Sequence, residues 1–318
     1  MPSPSSVEPG LSKWHSVAMA SRITVQAPHA DPGAGFERDV DGALAVFARM
    51  ERHCSRFGTS SSLVRVNRRP GRWHRVPPTL FAALREAFAA HRVTAGLFDP
   101  RVHDSLVDLG YDRTFPEVGD IPAVVPAGPR PLGPWRPRFV AGARLVHLGG
   151  MATDLGGIGK GLALRDASRL LRRSSANFLI DAGGDLYAAG RPSPDRSWAV
   201  GVESPLGGDD PLAVLEVRDV AVATSSVRIR QWRAGDVQVH HLIDPRTGRP
   251  GGGDLRSVTV VHPDPAHAEI WSKALFLHGP DAIVAAASNW GLAALWVDGR
   301  GAVSMSAAMQ PFVVGAGI

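Results

Sequence analysis

The sequence predicts an α+β chain, a mixture of amphipathic helices and short sheet strands. Three segments carry apolar residues at helical spacing: residues 41–54 (Leu44, Phe47, Ala48, Met50), residues 78–91 (Leu80, Phe81, Leu84, Phe88) and residues 162–171 (Leu162, Leu164, Ala167, Leu170, Leu171). Short strand-like runs then follow one another at residues 198–202, 212–217 and 220–224. No fixed-period repeat is visible, which argues against a solenoid or propeller.

Taken in order, residues 1–12 are Pro- and Ser-rich and are expected to be disordered, leaving residues 13–318 as one domain. Residues 16–25 read as the first strand, with Met19 inside it. The first helix follows, and then residues 55–67, a polar, turn-rich segment that contains Phe57 and ends in Asn67. Beyond the second helix, residues 94–100 form a loop with an embedded aromatic and a carboxylate, Phe98 and Asp99. Residues 116–137 contain seven prolines and read as an extended surface segment inside the domain. Residues 145–148 are an apolar run, and residues 176–180 are a buried-strand candidate entering the turn Asp181-Ala182-Gly183-Gly184-Asp185. His240 and His241 sit at a strand end that enters the turn Asp244-Pro245-Arg246-Thr247-Gly248. Residues 257–262 read as a strand, 266–277 and 281–288 as helices, and 292–298 as the terminal strand.

Composition bounds the rest. With 318 residues, 44% hydrophobic and 20% charged, the chain can bury a sizeable core as a globular protein. The net charge of +5 is spread rather than blocked, and aromatics are not interleaved with it, so no nucleic-acid partner is expected. Cys54 is the single cysteine, which excludes an intramolecular disulfide and a cysteine zinc cluster. No stretch approaches the roughly 18–20 apolar residues of a membrane span, and the N-terminus lacks an apolar signal core. A cytoplasmic protein without a membrane partner is expected. Of 35 basic residues only three are lysine: Lys13, Lys160 and Lys273. Arginine is a planar fork and lysine a compact charge, so a retained lysine in this background is informative.

The stretch Asp154-Leu155-Gly156-Gly157-Ile158-Gly159-Lys160-Gly161 reads as a glycine-rich turn between a strand and a helix. Such a turn is expected to offer backbone N–H groups to an anion, with Lys160 adding positive charge. Read without a ligand, it is only a tight connection.

Together with Met19-Ala20-Ser21, Ser55 to Asn67, Gly96-Leu97-Phe98-Asp99-Pro100, Gly110-Tyr111-Asp112, Asp181 to Asp185, Ala223-Thr224-Ser225, His241 to Gly248 and Ala268 to Gly279, this stretch gives an ordered set that resembles the ApbE family, the FAD:protein FMN transferases. The resemblance runs from about residue 16 to residue 305. It implies a single α+β domain of mainly antiparallel sheets flanked by helices. It also implies cleavage of the FAD pyrophosphate with Mg²⁺, and attachment of FMN by a phosphoester to a Ser or Thr of a target flavoprotein. Carried over, Met19, Phe57, Leu97, Phe98, Asp99, Asp154, Lys160 and Leu242 bind the flavin nucleotide. Gly157, through its carbonyl, and Glu269 hold the metal. His241 takes the proton of the attacking hydroxyl, since its ordinary pKa lies near neutrality. Read without the resemblance, His241 is a hydrogen-bonded turn histidine, Asp181 and Asp185 fix a turn, and Cys54 is a small buried hydrophobe.

The sequence departs from the family at several places. Ala20 and Ser21 stand in its Met-Gly-Thr, Ser226 ends its Thr-Ser-Gly, and Arg165 stands where an acidic residue is usual. In its Ala-Asp-x-x-x-Thr metal helix, Glu269 replaces Asp and Lys273 replaces Thr. An ammonium cannot ligate a cation. Glu269 and Lys273 are four apart on a predicted helix, so they form either a surface ion pair or a built-in cation in the metal's place. Two other activities remain open beside transfer: a non-catalytic FAD- or FMN-binding member, and an FAD pyrophosphatase.

Overall fold

The computed structural model describes residues 10–29, 35–113 and 133–316. Among them, eight strands form one antiparallel sheet: β1 (Leu11–Ala18), β2 (Ser21–Pro28), β3 (Phe178–Ala182), β4 (Asp185–Ala189), β5 (Val220–Ser226), β6 (Leu255–His262), β7 (Ala293–Asp298) and β8 (Val303–Met305). Their spatial order is their chain order, so the sheet is a meander interrupted by insertions. The long insertion between β2 and β3 carries α1 (Phe36–Cys54), α2 (Ser62–Asn67), α3 (Pro78–Val93), α4 (His103–Asp108) and α5 (Gly159–Leu171). Between β6 and β7 lie α6 (Pro265–His278) and α7 (Ile283–Asn289).

Side chains alternate across the sheet because strand periodicity is two. Ile180, Tyr187, Ala223, Val258 and Val260 face one way and pack under α1, α5 and α6. Leu179, Leu186, Val222 and Val261 face the other way. They meet Trp198, Val200 and Leu215 of a three-stranded sheet built from Trp198–Val202, Ala213–Val217 and Val313–Ala316. The result is the α+β domain of antiparallel sheets and flanking helices that the sequence predicts.

Four expectations need correction. Leu11 and Ser12 belong to β1, and residues 1–9 of the polar leader lie outside the described residues. The first strand is two strands. Met19 and Ala20 both have positive φ, 55° and 54°, and form the two-residue loop that joins β1 to β2. Such loops need left-handed backbone at both positions, and strand periodicity cannot reveal them when no glycine marks the site. Residues 55–67 end in a helix, α2, whose cap is Ser61, with its hydroxyl accepting from the Val64 amide at 3.1 Å. Finally, 292–298 is not the terminal strand, because β8 and Val313–Ala316 follow it. Of the proline-rich stretch, residues 116–132 lie outside the described residues. Trp135 is buried and donates to the Leu148 carbonyl at 2.9 Å. No helix among the described residues is long and apolar enough to cross a membrane.

Candidate active site

The glycine turn sits where α5 meets α6 and the edge of the helical layer. Each glycine has its own steric cause. A Cβ on Gly157 would lie 3.1 Å from a Phe98 ring carbon and 3.3 Å from the Lys273 stem. On Gly159 it would lie 3.1 Å from the Met19 methyl. On Gly161 it would fall 2.6 Å from the backbone of Pro265 and Ala266 in α6, which nothing short of a helix shift relieves. The turn therefore lets three distant segments approach one spot.

Its amides are largely committed within the protein, contrary to the expectation that they face an anion. Gly156 donates to Asp154 Oδ1 at 2.6 Å, and Gly159 donates to the Leu155 carbonyl at 2.9 Å. Gly161 donates to Glu269 Oε2 at 2.7 Å. Charge for an anion must come mainly from side chains.

Lys160, in the first turn of α5, donates to Asp185 on β4. Asp185 also accepts the Thr224 amide at 3.1 Å, so it is a charge partner rather than only a turn residue. Asp181 does fix the turn. It accepts from Gly183 at 3.1 Å and Gly184 at 3.3 Å, while burial raises its pKa above the ordinary value.

Opposite lies an aromatic wall. The Arg56 guanidinium stands 4.1 Å from the Phe57 ring centre and 4.5 Å from that of Tyr111. Its Nε meets Asp154 Oδ2 at 2.9 Å, and Nη1 donates to the Tyr111 carbonyl at 2.5 Å. Its Nη2 is buried and has no partner among the described residues. In the sequence Arg56 stands out only by its place directly before the aromatic Phe57. Leu97 and Phe98 are buried beside this wall. Asp99 lines the cleft too, but its carboxylate is gripped by Arg101, with Nη2 at 2.5 Å and Nε at 3.0 Å. That fork gives Asp99 a structural task that the sequence did not show. Cys54 is a buried small hydrophobe, and burial pushes its thiol up to about 12.

The third wall comes from α6 and the strand end at His241. His241 Nδ1 donates to the Arg230 carbonyl at 3.3 Å. Burial, then the charges of Arg230 and Lys273, hold its pKa well below 6.5. Leu242 is buried beside it. Glu269 is 1% exposed and Lys273 lies along the cleft, its Nζ 3.4 Å from Glu269 Oε1 and 3.4 Å from the Glu269 carbonyl. This is not a surface ion pair. Arg165, another departure from the family pattern, ties helices together: it reaches Glu86 of α3 at 2.8 Å and Asp264, the cap of α6, at 2.7 Å.

All the residues singled out from the sequence as site candidates line this one cleft of about 490 Å³: Met19, Phe57, Leu97, Phe98, Asp99, Asp154, Gly157, Lys160, His241, Leu242, Glu269 and Lys273. Among the described residues there is no group of three His, Cys, Asp or Glu side chains that could hold a metal ion.

Comparison with known proteins gives the same picture from another direction. An FAD:protein FMN transferase from Treponema pallidum is 29% identical over 265 residues, spanning 78% of this chain and 73% of that protein. One from Escherichia coli K12 is 28% identical over 150 residues, spanning 46% of this chain and 43% of that protein. The chain thus aligns with less than half the length of some of its curated relatives. The crystal structure of the ApbE protein of Thermotoga maritima superposes with a TM-score of 0.81 at 24% identity, covering 95% of this chain and 99% of that one. The flavin transferase ApbE of Vibrio cholerae superposes with a TM-score of 0.74 at 19% identity and the same coverage. At such identities the superpositions establish the fold alone. The ApbE family model matches residues 19–296, from the Met19 turn to β7, so the chain belongs to the ApbE family.

Proposed function

We propose that the chain is an FAD:protein FMN transferase. Its substrates are FAD and a target flavoprotein with an acceptor Ser or Thr, and AMP is released. The observation that carries this reading is the convergence in one cleft of an aromatic wall, a neutral histidine and cationic side chains. The name of the aligned relatives supports the same reaction.

In the transfer, the acceptor hydroxyl oxygen bonds to the phosphorus on the FMN side. The bond from that phosphorus to the bridging oxygen breaks, and AMP leaves with the bridging oxygen and its electron pair. The hydroxyl proton goes to His241. Because Nδ1–H of His241 points at a carbonyl, which only accepts, Nε2 carries the free lone pair. Its lowered pKa keeps the ring in the base form at neutral pH. Phe57, Leu97 and Phe98 line the cleft with apolar surface that can pack against a planar heterocycle, while Arg56 stacks on Phe57 and Tyr111.

The Mg²⁺ that the resemblance implies does not fit the residues present. Of the expected ligands, Glu269 gives one oxygen to the Gly161 amide and the other faces the Lys273 ammonium. A cation at that place repels a second one. No step above runs through a metal.

Incubation of the protein with FAD and a peptide bearing an acceptor Thr tests the reading. AMP together with a peptide heavier by FMN is the expected result. AMP with free FMN would make the protein a pyrophosphatase, and intact bound FAD would make it a binding protein.

A further inference from the structure

A diphosphate is doubly negative and needs opposing charge wherever it is bound. Its backbone supplies less than the glycine turn suggests, because the amides of Gly156, Ile158, Gly159 and Gly161 are taken. Of the four cationic side chains that line the cleft, Lys160 is matched by Asp185 and Arg56 by Asp154, and Arg230 makes no ion pair among the described residues. Lys273 differs. An ammonium has three N–H donors, and charge-assisted bonds run about 2.7–2.9 Å. Lys273 makes two contacts at 3.4 Å, both to Glu269, whose other oxygen already serves Gly161. Its stem lies against Gly157, where a Cβ would strike it, so the glycine is part of its seat. Arg230 lines the same cleft, and its carbonyl receives the His241 N–H. Lys273 is near enough to His241 to help hold that ring neutral. The under-bonded ammonium and the base therefore share one corner. Two of the chain's three lysines line this cleft, in a chain that otherwise uses arginine.

We propose that the Lys273 ammonium, seated on Gly157 and held by Glu269, binds the diphosphate of the substrate directly, so that the site takes dinucleotide diphosphates without a divalent cation. The proposal rests on the flavin reading above. Lys273 brings one charge where Mg²⁺ brings two, and it cannot bridge two phosphate oxygens as a Lewis acid does. Binding is thereby freed from the metal, and turnover is slower than a metal-assisted site would give.

Equilibrium binding of two probes, FAD and inorganic diphosphate, tests this in EDTA and in millimolar Mg²⁺. Wild-type protein should bind both probes equally well in either condition. Lys273→Met keeps the stem and loses the charge, and should weaken both probes by about tenfold or more, the scale of one charged hydrogen bond. Thermal unfolding of Lys273→Met within a few degrees of wild type separates loss of charge from loss of fold. Lys273→Thr should bind weakly in EDTA and recover in Mg²⁺. Wild-type affinity for FAD that rises tenfold with Mg²⁺, or a Lys273→Met protein that binds FAD as wild type does, overturns the proposal and leaves the flavin reading standing. Lys273-dependent binding of diphosphate without any binding of FAD would instead sink the flavin reading while upholding the ammonium–phosphate contact.

Discussion

Arg56 places a buried guanidinium against two aromatic rings, with Asp154 and the Tyr111 carbonyl satisfying two of its nitrogens and none of the described residues satisfying Nη2. A buried donor without a partner is costly, so a ligand acceptor at that place is favoured. Arg56→Lys keeps a charge near Asp154 but loses the planar fork. It should weaken FAD binding by about tenfold, the worth of a charged hydrogen bond; fluorescence titration reads this, and unchanged affinity would mean that Nη2 meets no ligand. His241 acts on the reaction rather than on binding. His241→Ala should abolish transfer while FAD affinity stays within a few-fold, because a base lowers the barrier and not the ground state. The wild-type rate should hold as pH falls through 6.5 and drop only well below it, since the folded ring protonates well below that value. A loss of rate centred near 6.5 would assign the titration to another group. The sequence singled out His241 and Lys273 by residue type and order. It could not show Arg56, whose signal is a stack on rings at positions 57 and 111, or the grip of Arg101 on Asp99, which turns a candidate ligand contact into a loop lock.

The contact of α5 with α6 is the element that aims the site. Gly161 lets the helix backbones touch, and its amide receives Glu269 from across the contact. Gly161→Ala forces a Cβ to within 2.6 Å of backbone atoms, so one helix must move. Overpacking of this kind costs about 1–3 kcal/mol, and thermal unfolding should show a melting temperature lower by several degrees. Gly142→Ala, where no atom lies within 4 Å of the new Cβ, is the control and should melt as wild type does. An equally stable Gly161→Ala protein would show that the two helices slide freely. The sequence revealed the glycine-rich turn and the amphipathic helices because those signals are local and periodic. The neighbours each glycine admits were hidden, since Met19, Phe98 and Ala266 come from distant segments. The short elements were hidden as well. α2 has only six residues, too few to establish a helical period, and the left-handed pair Met19–Ala20 sits between strands of like composition.

At the scale of the molecule, a meander sheet with insertions gathers residues from 19 to 277 into one cleft. The order of the motifs was legible because the chain keeps it. The charge pairings were not, because Lys160 with Asp185 and Arg165 with Asp264 join separate insertions and strands. This architecture has a consequence for acid stability. His53, His91, His240, His241, His262 and His278 all have pKa values below 6.5, and in each burial is the largest cause. For His240 the folded value is about 4. Below 6.5 the unfolded chain therefore binds protons that the folded chain refuses, and stability falls as pH falls. The contribution is fully present above 6.5 and is lost progressively toward the folded values, about 4 for His240. Asp219 and Asp264, whose carboxylates are held low by Arg172 and Arg165, add a second loss only below their ordinary value of 3.8. Urea unfolding between neutral pH and about pH 5 should thus show a steady decline in the midpoint, before the arginine-held carboxylates of Asp219 and Asp264 contribute. His240→Gln removes one of these groups and should flatten part of the slope. A midpoint constant over that range would mean that the histidines gain compensating partners on protonation, and the cleft around His241 would then have to be more open to water than its burial indicates.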